Sequence, residues 1–212
     1  MNGQQVETTL YSLSVAAPAP AERRDSERLM TLYRVGSLSI GDRRELCLIK
    51  NISAGGMMVR AYCNIPTSTR LSVELKCGQP IDGSVSWVRE SNIGIVFDQP
   101  VDVIDILATS LHGPRPRMPR IEVFSLVTVR DGAMTYRLKT CDISQGGLKV
   151  QGETIIAPGS DVVITLPGLE PLRGVIRWAE GGQIGLTFNR MLNLTLLVEW
   201  LQRQREAVRT LG

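Results

Sequence analysis

The chain is poor in histidine and aromatic residues and nearly balanced in charge. It contains one histidine in 212 residues, and its four cysteines form no CxxC pair, so neither a zinc site nor a nucleophile–base pair is indicated. Aromatic residues make up 5%, which is few for a small barrel that stacks nucleic-acid bases. The net charge of +3 creates no strong overall field toward nucleic acid. An enzyme is therefore the least favoured class, and a nucleic-acid-binding barrel is disfavoured.

Long hydrophobic runs are also missing. No stretch of 18 or more apolar residues occurs, so we expect no membrane span, and the N-terminus lacks the basic region of a secretory signal. We therefore expect a cytoplasmic protein. In that compartment the cysteines are expected to be buried, reduced thiols: Cys47, Cys63, Cys77 and Cys141.

The rest of the composition is that of a globular protein, with 43% hydrophobic and 21% charged residues. The length fits two domains of about 100 residues each. Residues 1–22 are expected to form a flexible tail, because they contain a Pro/Ala-rich run with little to pack. We predict one domain over residues 23–112 and a second over 113–212. The linker over 113–120 contains three prolines, so we expect the domains to pack with little freedom.

Short apolar segments separated by turn residues predict strands in the first domain, over 29–40, 44–50, 57–62, 71–75, 83–88 and 93–97. A helix is predicted over 101–111, with Asp98 as its cap and Pro100 at its start. A second helix is predicted over 192–211, with Leu197, Trp200, Leu201 and Val208 on one face.

An internal repeat organises the chain. Residues 51–97, shifted by 91 positions, align with 142–188 without a gap, and 13 of the 47 pairs are identical. Each copy ends in a predicted helix. About six short strands in under 100 residues favour a small closed barrel, since closure removes exposed strand edges. We therefore predict a mainly β protein with two tandem six-stranded antiparallel barrels, each followed by a C-terminal helix.

A polar, glycine-rich turn occurs once in each copy. In the first it reads Asn51-Ile52-Ser53-Ala54-Gly55-Gly56, and apolar residues flank it on both sides. Asn and Ser side chains satisfy nearby backbone groups in such turns. The two glycines are expected to adopt positive φ and to permit close approach of another surface. The turn therefore predicts a binding site on a rigid scaffold.

A run of charge precedes the first domain and contains Arg23, Arg24 and Arg28. Guanidinium groups bind phosphate oxygens and the O6/N7 edge of guanine in bidentate fashion, and they stack on flat bases. Asn51 and Ser53 add short hydrogen bonds. The combination predicts recognition of a guanine nucleotide that carries phosphates.

At these residues the sequence resembles the PilZ family of bacterial receptors for cyclic di-GMP (c-di-GMP). Arg24 and Arg28 match the family's RxxxR motif, and Asn51, Ser53 and Gly56 match its (D/N)xSxxG motif. The resemblance implies six-stranded antiparallel barrels that bind one c-di-GMP or an intercalated pair, without a metal or other cofactor. It assigns ligand contacts in the first domain to Arg23, Arg24, Arg28, Asn51, Ser53, Gly55 and Gly56.

The second copy departs from the family pattern. Asp142, Ser144 and Gly147 match the turn motif, but four residues separate Arg115 from Arg120 and only two separate Arg117 from Arg120. Pro116 occupies the place of an arginine four before Arg120. The second site is therefore expected to be degenerate, with a displaced clamp as the alternative, and its candidate residues are Arg115, Arg117, Arg120, Asp142, Ser144 and Gly147.

Two roles are considered for Trp87 and Trp178. Because both lie in predicted strands, packing is favoured over stacking on a base. For the protein as a whole, the favoured function is a non-catalytic c-di-GMP receptor that acts mainly through domain 1 and relays occupancy to a protein partner. The alternative is an interaction adaptor that binds no nucleotide. The downstream output and the oligomeric state stay open.

Overall fold

A computed structural model describes residues 30–75, 80–106 and 118–211 of the chain. The predicted tail, Cys77, residues 107–111 of the first predicted helix and most of the linker lie outside these ranges. So do the arginines at 23, 24, 28, 115 and 117.

The first barrel is closed and has six antiparallel strands, as the sequence predicts. Its strands are β1 (Met30–Ile40), β2 (Arg43–Ser53), β3 (Gly56–Ala61), β4 (Arg70–Glu74), β5 (Ile81–Arg89) and β6 (Asn92–Phe97). They neighbour one another in the order β1-β2-β3-β6-β5-β4, and β4 closes the barrel by pairing with β1. Closure leaves no long unpaired edge in this barrel.

The second barrel has the same closed arrangement. Its strands are β7 (Ile121–Glu122), β8 (Leu126–Asp131), β9 (Met134–Ser144), β10 (Gly147–Gln151), β11 (Asp161–Thr165), β12 (Leu172–Glu180) and β13 (Gln183–Phe188). Strands β7 and β8 both pair with β9, so together they replace the single strand β1. The buried hydroxyl of Thr140 joins the two pieces, since it donates to Val123 O (2.6 Å) and accepts from Ser125 N (2.8 Å).

The repeat extends to the limits of the strands. Strand β1 begins at Met30 and β7 at Ile121, and β4 begins at Arg70 and β11 at Asp161, both 91 positions apart. The predicted strands of the first domain are therefore confirmed, although several are longer than expected. Strand β2, predicted to end at Lys50, continues into the polar turn motif and ends at Ser53.

The cap of the first helix differs from the prediction. Asp98 does not cap the first helix, because it accepts two hydrogen bonds from Arg70, at 2.8 and 2.6 Å. Helical residues begin at 103, and Asp102 Oδ1 accepts from the N–H of Asp105 at 3.0 Å. Its counterpart Asn193 caps the C-terminal helix (Leu194–Leu211) in the same way. The cap lies four residues later than predicted, directly before the helical turn.

Each barrel has its own hydrophobic core. In the C-terminal helix the predicted apolar residues Leu197, Trp200 and Leu201 are buried, and the Trp200 indole N–H donates to Pro167 O at 2.8 Å. Among the described cysteines, Cys47 is buried and has a pKa raised to about 12 by its burial. Cys63 and Cys141 are half-buried, and all three are free thiols.

The two barrels contact each other directly. Leu46 in β2 of the first barrel is 3% exposed and belongs to the hydrophobic core of the second, with Val35 and Tyr62 packed at its side. Gln202 of the C-terminal helix donates to Tyr62 O at 2.8 Å. An apolar residue that points outward from one barrel is thus buried by the other. None of the described helices is long and apolar enough to cross a membrane.

Candidate functional site

The polar turn of the first barrel connects β2 and β3. Asn51 Oδ1 accepts a hydrogen bond from Met58 N at 3.2 Å, and the Ser53 hydroxyl donates to Gly56 O at 3.1 Å. The register of β2 against β3 shifts between Ile49 and Asn51, which marks a bulge. Bulges re-aim side chains, and this one places Asn51 beside the turn on the outside of the barrel.

The glycines of the turn have a different role from the one expected. Gly55 and Gly56 do not have positive φ, so that prediction is wrong. A β-carbon on Gly56 would overlap Ile95 O in the neighbouring strand, whereas the space around Gly55 is open. Glycine at position 56 is therefore required by the close pairing of β3 with β6. The surface that comes close to Gly56 is thus the backbone of the neighbouring strand and not a ligand. Gly55 leaves open space on the outside of the turn.

The motif extends across the outer surface of four strands. In β3 and β6, Val59 and Ile95 point inward and are buried, and the residues that alternate with them point outward. Strand pairing places four outward residues in one row, here named the motif row: Asn51, Met58, Gly94 and Trp87. With strands about 4.8 Å apart, the row spans on the order of 14 Å.

The tryptophans cover glycines in both barrels. A β-carbon on Gly94 would overlap the Trp87 indole, and one on Gly185 would overlap that of Trp178. Trp87 is half-buried, and Trp178 is 42% exposed. The indoles therefore pack on the barrel rim, as favoured from the sequence, and each still presents part of its ring to the surface.

Backbone hydrogen bonds connect the turn to the segment before the first helix. Gly55 O accepts from Phe97 N at 3.0 Å, and Ala54 O accepts from Val101 N at 2.9 Å. The second barrel repeats the connection through Gln145 O and Leu192 N, at 2.8 Å. In both barrels the turn is thus attached to the chain that enters the following helix.

The turn of the second barrel is occupied by its own cations. Ser144 donates to Gly147 O at 3.3 Å, as its counterpart does. Asp142, however, forms an ion pair with Arg120 and a second with Lys149, at 3.3 Å for the lysine. Lys149 stands at the position of Met58 in the first barrel. The corresponding row therefore has a neutralised carboxylate where the first barrel has an amide.

The strand register also revises the comparison of the arginine segments. Because β1 and β7 begin 91 residues apart, Arg115 corresponds in sequence to Arg24, and Pro119 corresponds to Arg28. Arg120 is one position further along and contacts Asp142. The second copy thus retains the first arginine of the motif and has a buried proline in place of the second.

A cleft between the two barrels was not foreseen from the sequence. It has a volume of about 590 Å³ and is lined by the arginines Arg43, Arg44, Arg120 and Arg205. Each is ion-paired: Arg43 and Arg205 with Glu45, Arg44 with Glu74, and Arg120 with Asp142. The hydrogen bond from Arg43 to Glu45 raises the pKa of the arginine. Of these ion pairs, Arg205–Glu45 crosses between the barrels, and the carboxylates offset the positive charge of the cleft.

Comparison with known proteins assigns the family. The PilZ domain model matches residues 22–110 and again 114–203, together most of the chain. The chain therefore belongs to the PilZ domain family and carries two tandem copies. No curated protein matches significantly.

Several solved structures are similar to the whole or to one part of the chain. The Borreliella burgdorferi PlzA protein in complex with c-di-GMP is 12% identical with a TM-score of 0.36, covering 83% of this chain and 92% of its own. YcgR from Escherichia coli, in complex with c-di-GMP, is 14% identical with a TM-score of 0.30, covering 84% of each chain. The PilZ domain of CeSA from a cellulose synthesizing bacterium is 24% identical with a TM-score of 0.33, covering 39% of this chain and 94% of its own.

Proposed function

We propose that the protein is a non-catalytic receptor for c-di-GMP that binds its ligand mainly through the first barrel. The observation that carries the proposal is the state of the two turns. Asn51 and Ser53 use one oxygen acceptor and one hydroxyl donor to hold their own turn. Within residues 30–75, 80–106 and 118–211, no charged side chain hydrogen-bonds to either. The Asn51 amide N–H groups are therefore available to a ligand.

The turn of the second barrel differs from the first in a way that supports assigning the main site to the first barrel. Its carboxylate already has two cationic partners, Arg120 and Lys149. A ligand that approached Asp142 would have to replace at least one of these ion pairs, and Pro119 removes an arginine from the motif. We infer that the second barrel contributes little affinity and serves as a structural partner of the first.

The relay of occupancy is proposed to run through the turn itself. Ligand contact at Asn51 and Ser53 orders the turn whose Ala54 carbonyl holds Val101. The chain then enters the helix that begins at residue 103. A protein partner that contacts this helix or the segment before it would sense whether the site is occupied.

A titration of the full chain tests the function. Calorimetry with c-di-GMP, GTP and single-stranded RNA as separate titrants should show saturable binding of c-di-GMP alone. The variant Asn51→Ala should bind c-di-GMP about 10-fold more weakly, since it loses hydrogen bonds to a charged ligand, while Asp142→Ala should change the affinity little. Binding of RNA but not c-di-GMP would contradict the proposal, and binding of neither would favour the nucleotide-independent adaptor.

A further inference from the structure

A second row of polar residues lies beside the motif row on the first barrel. Strand pairing places Arg60 of β3, Asn92 of β6 and Arg89 of β5 side by side, and we name them the arginine row. Both arginines are exposed. Arg60 follows Met58 by two residues in β3, and Arg89 follows Trp87 by two residues in β5. The arginine row is therefore about 7 Å from the motif row. It therefore borders the motif row directly.

Each arginine of this row lies over an aromatic ring. The Arg60 guanidinium is 5.5 Å from the centroid of Tyr62, and that of Arg89 is 5.5 Å from the centroid of Trp87. A guanidinium above a ring keeps its in-plane N–H donors available. Because the ring already restricts the side chain, less conformational entropy is lost when the arginine binds an anion.

The arginine row has unused hydrogen-bonding capacity. Among the described residues, no carboxylate forms an ion pair with Arg60 or Arg89, whereas Arg43, Arg44 and Arg70 each have one. Between the two arginines, Asn92 Oδ1 is buried and has no hydrogen-bond partner in the described structure. This oxygen is an acceptor and does not bind an ionised phosphate, so the donors that the row offers to an anion are those of the two guanidinium groups.

The same row of the second barrel shows that the arginines are not needed to build the fold. Its residues, 91 positions further on, are Gln151, Gln183 and Glu180, and Glu153 replaces Tyr62. The row thus carries two positive charges in the first barrel and one negative charge in the second. The two turns differ in the same sense, because Asp142 already has two cationic partners whereas Asn51 has none among the described residues.

We propose that Arg60 and Arg89 form an anion-binding row that contacts a phosphodiester of the dinucleotide held at Asn51 and Ser53. The inference rests on the proposed function and adds two ligand contacts to it. The two arginines are two strands apart, about 10 Å, so a phosphate above Asn92 would lie between them. Trp87 belongs to the motif row, and the Arg89 guanidinium lies over its ring. This contact connects the motif row to the arginine row.

The variant Arg60→Gln/Arg89→Gln tests the proposal in the full chain. Loss of two charge-assisted contacts should weaken c-di-GMP binding about 10-fold or more. The matched control is Arg130→Gln/Arg137→Gln, which removes the same charge from exposed strand positions of the second barrel. It should bind like wild type. The single variant Arg89→Gln should show an intermediate loss, and unchanged thermal unfolding should confirm that each variant is folded.

The outcomes separate this inference from the proposed function. If wild type binds c-di-GMP and the double variant binds equally well, the arginine row is not part of the site, while the receptor function stands. If the double variant loses affinity for single-stranded RNA and not for c-di-GMP, the row belongs to a nucleic-acid surface and the inference is overturned. If wild type does not bind c-di-GMP at all, both are overturned.

Discussion

Arg205 of the C-terminal helix forms an ion pair with Glu45 of strand β2, so the helix that follows the second barrel is attached to the first. Arg205 also donates to Arg44 O at 2.8 Å. Glu45 has a side chain only 11% exposed and receives a second hydrogen bond from Arg43 at 3.0 Å. Next to it in the chain, Leu46 is buried in the core of the second barrel. Polar and apolar contacts thus fix the two domains together at one place.

The first prediction concerns this interface. Arg205→Ala should lower the free energy of unfolding by about 1–2 kcal/mol, because a charged hydrogen-bond donor to Glu45 is lost while Arg43 still pairs with it. Chemical denaturation measures the change. Arg203→Ala, an exposed residue of the same helix, is the control and should have an effect under about 0.5 kcal/mol. Equal effects of the two variants would show that the ion pair does not stabilise the interface.

Small-angle scattering provides a second measurement on the same contact. Wild type should have a narrow distribution of shapes, with and without ligand, because Leu46 of the first barrel is buried in the core of the second. A broad, extended distribution for wild type would contradict the rigid association of the two barrels.

A matched pair of glycine variants tests the role of the motif row. Gly94→Ala and Gly185→Ala should each displace an indole, Trp87 or Trp178, because the new β-carbon would overlap it. Overpacking of this kind costs about 1–3 kcal/mol of stability in either barrel. Only Gly94→Ala should weaken c-di-GMP binding, since Asp142 in the second turn is already ion-paired with Arg120 and Lys149. Equal loss of affinity in both variants would contradict the assignment of the site to the first barrel.

The arginine segment before the first barrel should respond to ligand. If Arg23, Arg24 and Arg28 bind the ligand as proposed, they form charge-assisted hydrogen bonds to its phosphates. We expect amide hydrogen exchange over residues 20–30 to slow at saturating c-di-GMP. The corresponding segment over residues 111–121 should change less and provides an internal control. Unchanged exchange over residues 20–30 would show that these arginines do not close on the ligand.

Much of the fold was predictable because the repeat constrains it. The 91-residue register, the alternation in Leu71–Leu75 and the paired turns predict the strands, and closure predicts the barrel. The helix cap was misplaced because both Asp98 and Asp102 suit a cap, and only the structure shows that Arg70 engages Asp98. Local sequence does not reveal which partner a side chain meets across the fold.

The candidate site was predictable as a set of residues but not as an arrangement. The turn motif identified Asn51 and Ser53, yet the row that joins Asn51 to Trp87 depends on strand register and on a bulge between Ile49 and Asn51. Likewise, the sequence shows that the spacing of Arg120 does not fit the RxxxR motif. It does not show that Arg120 forms an ion pair with Asp142. Leu46 was read as an ordinary strand residue, because nothing nearby in sequence indicates burial by another domain.

The central claim is that the first barrel carries most of the affinity, and calorimetric titration of two double variants tests it most directly. Arg24→Ala/Arg28→Ala removes two charged contacts worth about 1.5–3 kcal/mol each, so c-di-GMP binding should weaken roughly 100-fold or more. Both positions precede strand β1, so the barrel should stay folded. Arg115→Ala/Arg120→Ala should have a far smaller effect on binding. If instead the first variant binds like wild type and the second does not, the roles of the two barrels are reversed.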